Sequence, residues 1–151
     1  MRTVPALAAT LSACALAWAV VPSAPRMTDA QLVEEACNDY VIGIYEAEPE
    51  RIDRSVHPDL RKAGFWRTDG AAEYPPMAEM TFDELRHLTE ILKAGGHVPA
   101  NPPREIKVFE VADQTACAKV VGFWGQDYVH LAKFDGRWQI VNIIWQSPPT
   151  N

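Results

Sequence analysis

Residues 105–146 read EIKVFEVADQTACAKVVGFWGQDYVHLAKFDGRWQIVNIIWQ, and the reading of this stretch decides the fold. Runs rich in β-branched and aromatic residues alternate with short turn signals, which predicts an antiparallel sheet. The clearest signal is Phe134-Asp135-Gly136-Arg137. A two-residue Asp-Gly between β-rich runs calls for a type I′ hairpin. Working outward, the expected strands are Ile106 to Ala112, Thr115 to Trp124, Asp127 to Phe134 and Arg137 to Gln146. Asp113-Gln114 and Gly125-Gln126 are the other expected turns.

If Phe134 faces Arg137, alternation sorts the last two strands onto two faces. One face carries Asp127, Val129 and Leu131 with Trp138, Ile140, Asn142 and Ile144. The other carries Tyr128, His130, Ala132 and Phe134 with Gln139, Val141, Ile143 and Trp145. Trp124, Gly122 and Val120 join the Asp127 face. Both faces are apolar over most of their length, so each needs a cover. Helices from the first half of the chain can cover one, and a second copy is the simplest cover for the other. A homodimer through Tyr128, His130, Ile143 and Trp145 is therefore expected.

The chain has 151 residues, 48% hydrophobic and 23% charged, which suits one globular domain with a sizeable core. Its net charge is −6 and no basic stripe is present, which argues against nucleic acid or anionic lipid as partners. Met1 to Ala24 has Arg2, an apolar run from Val4 to Val21 and then Pro22-Ser23-Ala24, the three-part form of a secretory signal peptide. Cleavage after Ala19 or Ser23, with a periplasmic or secreted product, is the leading expectation. An uncleaved membrane anchor, or a lipoprotein lipidated at Cys14 of Leu11-Ser12-Ala13-Cys14, are the alternatives. Export would allow a Cys37–Cys117 disulfide; two separate buried thiols are the other reading.

Between leader and sheet the periodicity is helical. Thr28 with Gln31 forms a capping box, followed by Leu32, Val33, Ala36, Cys37, Tyr40, Val41, Ile44 and Tyr45 on one face. Pro49 starts a short second helix with Ile52 and Val56, and His57-Pro58 predicts a turn. Leu60 to Trp66 leads on, with Phe65 and Trp66 as anchors to the core. Asp69-Gly70 and Pro75-Pro76 mark a loop. Thr81 and Glu84 cap a third helix with Leu85, Leu88, Ile91 and Leu92 as its stripe, ended by Gly95-Gly96. Helices first and strands last, over residues 28–149, mean an α+β domain.

That order, with Asp127-Tyr128-Val129-His130-Leu131-Ala132-Lys133 and Asp135-Gly136-Arg137-Trp138-Gln139-Ile140-Val141-Asn142, resembles the nuclear transport factor 2-like superfamily. Within it, the chain is similar to the "putative lumazine-binding" branch, close to polyketide-cyclase-like (SnoaL-like) and ketosteroid-isomerase-like proteins. The resemblance implies a cone-shaped curved sheet wrapped around three helices, a pocket at its open end and a dimer through the outer face. It does not of itself imply flavin or lumazine, and no cofactor is expected.

The register makes Asp127 and Asn142 diagonal neighbours on the apolar face. A desolvated carboxylate there would be a candidate general base, while an Asp127 that only caps turn amides is the structural alternative. The resemblance suggests that Tyr40 or Tyr45 donates into the same cavity, against the plain reading of core tyrosines. The aspartate, tyrosine and second acid that ketosteroid isomerase-like enzymes combine do not form a recognisable set here. His57 is a candidate for the rim, and Trp66, Trp124 and Trp138 for stacking surface. No spacing among His57, His87, His97 and His130 suits a metal, and no phosphate-binding loop or nucleophile elbow is present. The leading expectation is a binding module for a small apolar or aromatic molecule, using Tyr40, His57, Trp66, Trp124, Asp127, Trp138 and Asn142. An isomerase, cyclase or dehydratase with Asp127 as base, and an accessory protein-interaction domain, are the alternatives.

Overall fold

The computed structural model describes residues 26–68 and 71–149, so the expectations for the leader lie outside the described residues. Three helices precede or interrupt a six-stranded mixed sheet. In chain order these are α1 (Asp29–Glu46), α2 (Pro49–Ser55), β1 (Val56–Phe65), β2 (Ala78–Met80), α3 (Phe82–Ala94), β3 (Glu105–Val111), β4 (Thr115–Gly122), β5 (Gly125–Phe134) and β6 (Arg137–Gln146). The strand order is β2-β1-β6-β5-β4-β3. β1 runs parallel to β6, and every other pairing is antiparallel. The sheet does not close, and the result is the α+β cone that the sequence led us to expect.

Both capping boxes form as read. Thr28 pairs with Gln31 at the start of α1, and Thr81 pairs with Glu84 at the start of α3. Each satisfies backbone N–H groups that a helix start leaves unpaired. The expected face of α1 is buried, with Val33, Cys37, Tyr40, Val41 and Ile44 against Val120, Val129, Leu131, Ile140 and Ile143 of the sheet.

The Asp-Gly hairpin also forms, with Asp135 and Gly136 both at positive φ and Phe134 opposite Arg137. Two features beyond it depart from the sequence reading. The β4–β5 turn is Phe123-Trp124 rather than Gly125-Gln126, since Gly122 faces Gly125. Moving a two-residue turn by two positions shifts the pairing by four and leaves the parity of each face unchanged, so Val120 still shares a face with Asp127.

The second departure matters more. The register steps between Leu131↔Ile140 and His130↔Asn142, a β-bulge that gives β6 one extra residue at Val141. Beyond a one-residue bulge every side chain changes face. Ile143 and Trp145 therefore turn inward beside Val129 and Asp127, while Asn142 and Ile144 turn outward beside His130 and Tyr128. This corrects the expected inward Asn142, and it removes Ile143 and Trp145 from the outer face assigned to the dimer.

The segment after α2 holds a further correction. The chain does not leave the sheet at His57-Pro58; β1 begins at Val56, which pairs with Ile140 of β6, and pairs again from Arg61 onward, with an irregularity between the two. Leu60, Lys62 and Gly64 face inward, and Arg61 and Phe65 face out. The thiols are both free, with Cys37 buried in α1 and Cys117 directly opposite the outward His130. Lying on opposite sides of the sheet, they cannot meet the geometry of a disulfide. Burial pushes the Cys37 thiol up to about 12.

Gly125 follows the turn at φ 127°, where a Cβ would lie 2.0 Å from the Gln146 carbonyl oxygen. Gly125→Ala should therefore cost at least about 2 kcal/mol in urea denaturation. A loss below about 0.5 kcal/mol, the range of ordinary surface changes, would contradict this account of the turn.

Candidate functional site

At the wide end of the cone the inner sheet face and α3 enclose a recess of about 240 Å³. Leu85, Leu88 and Leu92 line it from α3, and Tyr40 and Ile44 from α1. Phe123, Trp124 and Trp145 form an aromatic wall, and Trp66 and Met80 complete the rim. Trp145 reaches the recess because the bulge turns it inward and because its partner on β1 is Gly64. A Cβ on Gly64 would lie 2.4 Å from Trp145 Cδ1, so only glycine leaves the indole room to lie across β1.

One charged side chain lines this surface. Lys62 projects inward from β1 between Met80 of β2 and Ile143 of β6, with its side chain only 6% exposed. Its Nζ donates to the Tyr40 hydroxyl oxygen at 2.8 Å, and the Tyr40 hydroxyl donates to Asp127 Oδ2 at 2.7 Å. Lys62 Nζ itself lies 3.6 Å from that carboxylate oxygen, and Trp124 Nε1 donates to Asp127 Oδ1 at 3.1 Å. Asp127 is fully buried.

The electrostatics follow from burial and contact. Desolvation, reinforced by the negative charge and hydrogen bonding of Asp127, holds the Tyr40 phenol well above its usual range. Desolvation lowers the value for Lys62, and the attraction of Asp127 opposes it. Both Asp127 oxygens are engaged, and the residue stands behind Tyr40 and Lys62 rather than in the lining. A general base must reach the proton it removes. The geometry instead suits Asp127 to holding Tyr40, Trp124 and Lys62 in place.

The remaining candidates divide by location. Tyr40, Trp66 and Trp124 line the recess. Tyr45 donates to the Pro103 carbonyl and accepts from the Phe123 amide, so it serves the wall. Trp138 faces inward at the opposite end, where its Nε1 and Lys133 Nζ both donate to Asp29 Oδ1. His57 stacks on Phe134 at 4.5 Å between ring centres, beside the hairpin turn. Asn142 lies outside, donating to the Arg61 carbonyl and meeting His130 Nδ1 at 3.0 Å. Lys62 and Trp145 were missed as site residues; no local signal marks either, since a lysine at an alternating strand position reads as solvent-facing and the β6 pattern is apolar at both parities. Among the described residues no cluster of His, Cys, Asp or Glu is placed to hold a metal ion, and no helix is long and apolar enough to cross a membrane.

The sequence family described as "Putative lumazine-binding" matches residues 28–146. An NTF2-like protein of unknown function from Methylobacillus flagellatus KT superposes with a TM-score of 0.59 at 21% identity, covering 80% of this chain and 93% of that one. An NTF-2 like protein of unknown function from Silicibacter pomeroyi DSS-3 gives 0.57 at 15% identity, covering 80% and 99%. A protein described as "Putative Scytalone Dehydratase" from Novosphingobium aromaticivorans DSM 12444 gives 0.55 at 16% identity, covering 82% and 86%. No curated protein sequence matches. At such identities the likeness establishes the fold, and chemistry has to be argued from the side chains.

The buried cluster makes two measurable statements. Asp127→Ala, which leaves Lys62 buried without its counter-charge, should lose about 3–5 kcal/mol, and Lys62→Met with Asp127→Asn should lose less than the two single changes added together. Additive losses in chemical denaturation would mean that the two groups do not interact. The folded state keeps the Tyr40 proton above the pH at which the unfolded chain releases it. The contribution of Tyr40 is therefore complete below about pH 10 and declines as pH rises further. Lys62 acts with the opposite sign, adding stability as pH rises from its lowered folded value toward 10.5. In an alkaline absorbance titration, Tyr40 should yield phenolate only as the protein unfolds, a late step absent from Tyr40→Phe. A full tyrosinate signal from the native protein near pH 10 would refute it.

Proposed function

Since the chain belongs to the "putative lumazine-binding" family of the nuclear transport factor 2-like superfamily, we propose that it binds a small, largely apolar ring compound in the recess between α3 and the sheet. The observation that carries this reading is the lining, in which leucine and aromatic surfaces surround one buried ammonium group, Lys62. Ligand sites are typically apolar concavities with a few placed polar groups that fix orientation. A volume of about 240 Å³ favours a monocyclic or bicyclic ligand, and it supports binding over a cone plugged by its own side chains. Lumazine, the flat bicyclic ring in the family's description, falls in that size class. The enzyme alternative that uses Asp127 as base gains no support from a carboxylate whose oxygens are both occupied.

The protein is further proposed to be exported, on the strength of its Met1 to Ala24 leader, and to pair with a second copy through the outer sheet face. Tyr128 and Ile144 support the pairing: they face each other across β5 and β6 and are 45% and 52% exposed. An isologous contact would cover both at once.

Naphthalene should bind saturably to the wild-type protein, and Leu88→Trp, which fills the recess from α3, should abolish that binding while circular dichroism stays native. Unchanged naphthalene affinity in a folded Leu88→Trp would exclude the recess as the site. In sedimentation at micromolar concentration the wild type should be dimeric and Ile144→Glu shifted toward monomer. A monomeric wild type would end the dimer proposal.

A further inference from the structure

The two thiols among the described residues have unlike surroundings. Cys37 is fully buried in α1, whereas Cys117 points outward from β4, half-buried and free. It belongs to a row of polar side chains that crosses the outer face of the sheet. Glu110 of β3 faces Cys117, Cys117 faces His130 of β5, His130 faces Asn142 of β6, and Asn142 faces Arg61 of β1. Glu110, Cys117 and His130 line a hollow of about 440 Å³, with Thr115 and Val141 beside them. This hollow shares no lining residue with the recess.

The tautomer of His130 is fixed by its neighbours. Asn142 Nδ2 donates to the Arg61 carbonyl at 3.0 Å, which leaves Asn142 Oδ1 to meet His130. An amide oxygen only accepts, so His130 Nδ1, 3.0 Å away, carries the proton and donates. In the neutral ring Nε2 is then a proton acceptor. An outward thiol beside a ring so held has the parts of an activated nucleophile: a sulfur to attack, a base to take its proton and a third group that orients the base. Residues facing each other across an antiparallel ladder have Cβ atoms about 4.5–5.5 Å apart, within the reach of an imidazole. Nucleophile–base contacts of this kind often tighten only as the reagent arrives.

We infer that Cys117 is a site of thiol–disulfide exchange with small disulfides, in which His130 is the base and Asn142 positions it. His130 Nε2 takes the Sγ proton, and the thiolate attacks one sulfur of the incoming disulfide. The new S–S bond forms as the disulfide's own S–S bond breaks, and the departing thiolate recovers the proton from His130. Cys117 ends as a mixed disulfide whose added group lies in the hollow. Glu110 is the rival base, since it faces Cys117 from β3, but a solvated carboxylate is a far weaker base than an imidazole. Arg61 on β1 and Lys119 on β4 are the other charged groups of this face beside the row. The inference is independent of the recess. The export proposed above would bring the thiol into contact with such disulfides. Tyr128 and Ile144 lie two positions along β5 and β6 from His130 and Asn142, so a paired copy would border the hollow.

The test incubates the folded protein with hydroxyethyl disulfide at neutral pH and follows the added group by peptide mass spectrometry, which reports each cysteine separately. Cys117 should be modified and Cys37 spared. His130→Gln should slow the reaction at Cys117 by about tenfold or more, as loss of a general base does. Asn142→Ala should slow it by roughly threefold or more, the worth of one hydrogen bond. Both variants should match the wild type in alkaline buffer, where the thiol ionises without help; a deficit that persists there would overturn proton transfer as its cause. Glu110→Gln should leave the rate unchanged. These changes lie on the outer face, so circular dichroism should stay native. The same measurement on Ile144→Glu removes shielding by a paired copy. Equal neutral-pH rates in the wild type and His130→Gln, or a loss in Glu110→Gln instead, would overturn the assignment of the base. A Cys117 that stays unmodified in both the folded wild type and Ile144→Glu, while the urea-unfolded chain reacts, would overturn the site.

Discussion

Three elements distant in the chain meet at one buried contact, in which Lys62 of β1 donates to Tyr40 of α1 and Tyr40 donates to Asp127 of β5. A buried ion pair is poor evidence of net stability, because desolvation offsets most of its attraction. What such a pair does enforce is arrangement. If α1 slid along the sheet, or β1 shifted by one residue against β6, a charge would be left buried and alone. The leucine and tryptophan surfaces around it would tolerate small displacements; the relay would not. The recess keeps its shape because its floor has a single satisfactory geometry.

The bulge at Val141 is the second constraint, and it works on β6, directly beside that contact. Up to Ile140, β6 follows the register set by the Asp-Gly turn; beyond it, the strand presents its other parity to the core. The two halves of β6 thus serve different ends of the cone. Trp138 and Ile140 close the narrow end over α1, where Asp29 accepts from Trp138 and Lys133. Ile143 and Trp145 line the wide end, where Gly64 makes room for the indole. A regular strand with this sequence would bury Asn142 and expose Trp145.

Much of this architecture was legible in the sequence where the signals were local. Thr28 with Gln31, Thr81 with Glu84, and Asp135-Gly136 specify their structures through neighbouring backbone groups, and all three form. The meeting of Tyr40 and Asp127 could also be anticipated, since helical spacing and strand parity turn both inward. The bulge could not. Ile140-Val141-Asn142-Ile143-Ile144 is apolar at both parities, so a slip of one residue leaves the pattern almost unchanged. β1 was illegible for a different reason. Its pairing is parallel and distant, its run contains Pro58 and two adjacent cations, and a lysine at an alternating position reads as solvent-facing. Lys62 faces inward because Tyr40 and Asp127, each from another element, wait to receive it.

The distance of that pairing bears on how the molecule assembles. β3 to β6 are successive antiparallel neighbours joined by short turns, and such local contacts close early and cheaply. β1 must find β6 across nearly the whole domain; Arg61 and Asn142, which meet there, are 81 positions apart. From loop-closure entropy, this docking is expected to follow formation of the meander. In that order of events Asp127 would stay wetted and Lys62 in solvent until β1 docks, and Trp145 would lack the β1 backbone it lies across. Assembly of the recess and completion of the fold are thus one event, and an intermediate that stops short of it would offer a bare β6 edge for another chain to pair with.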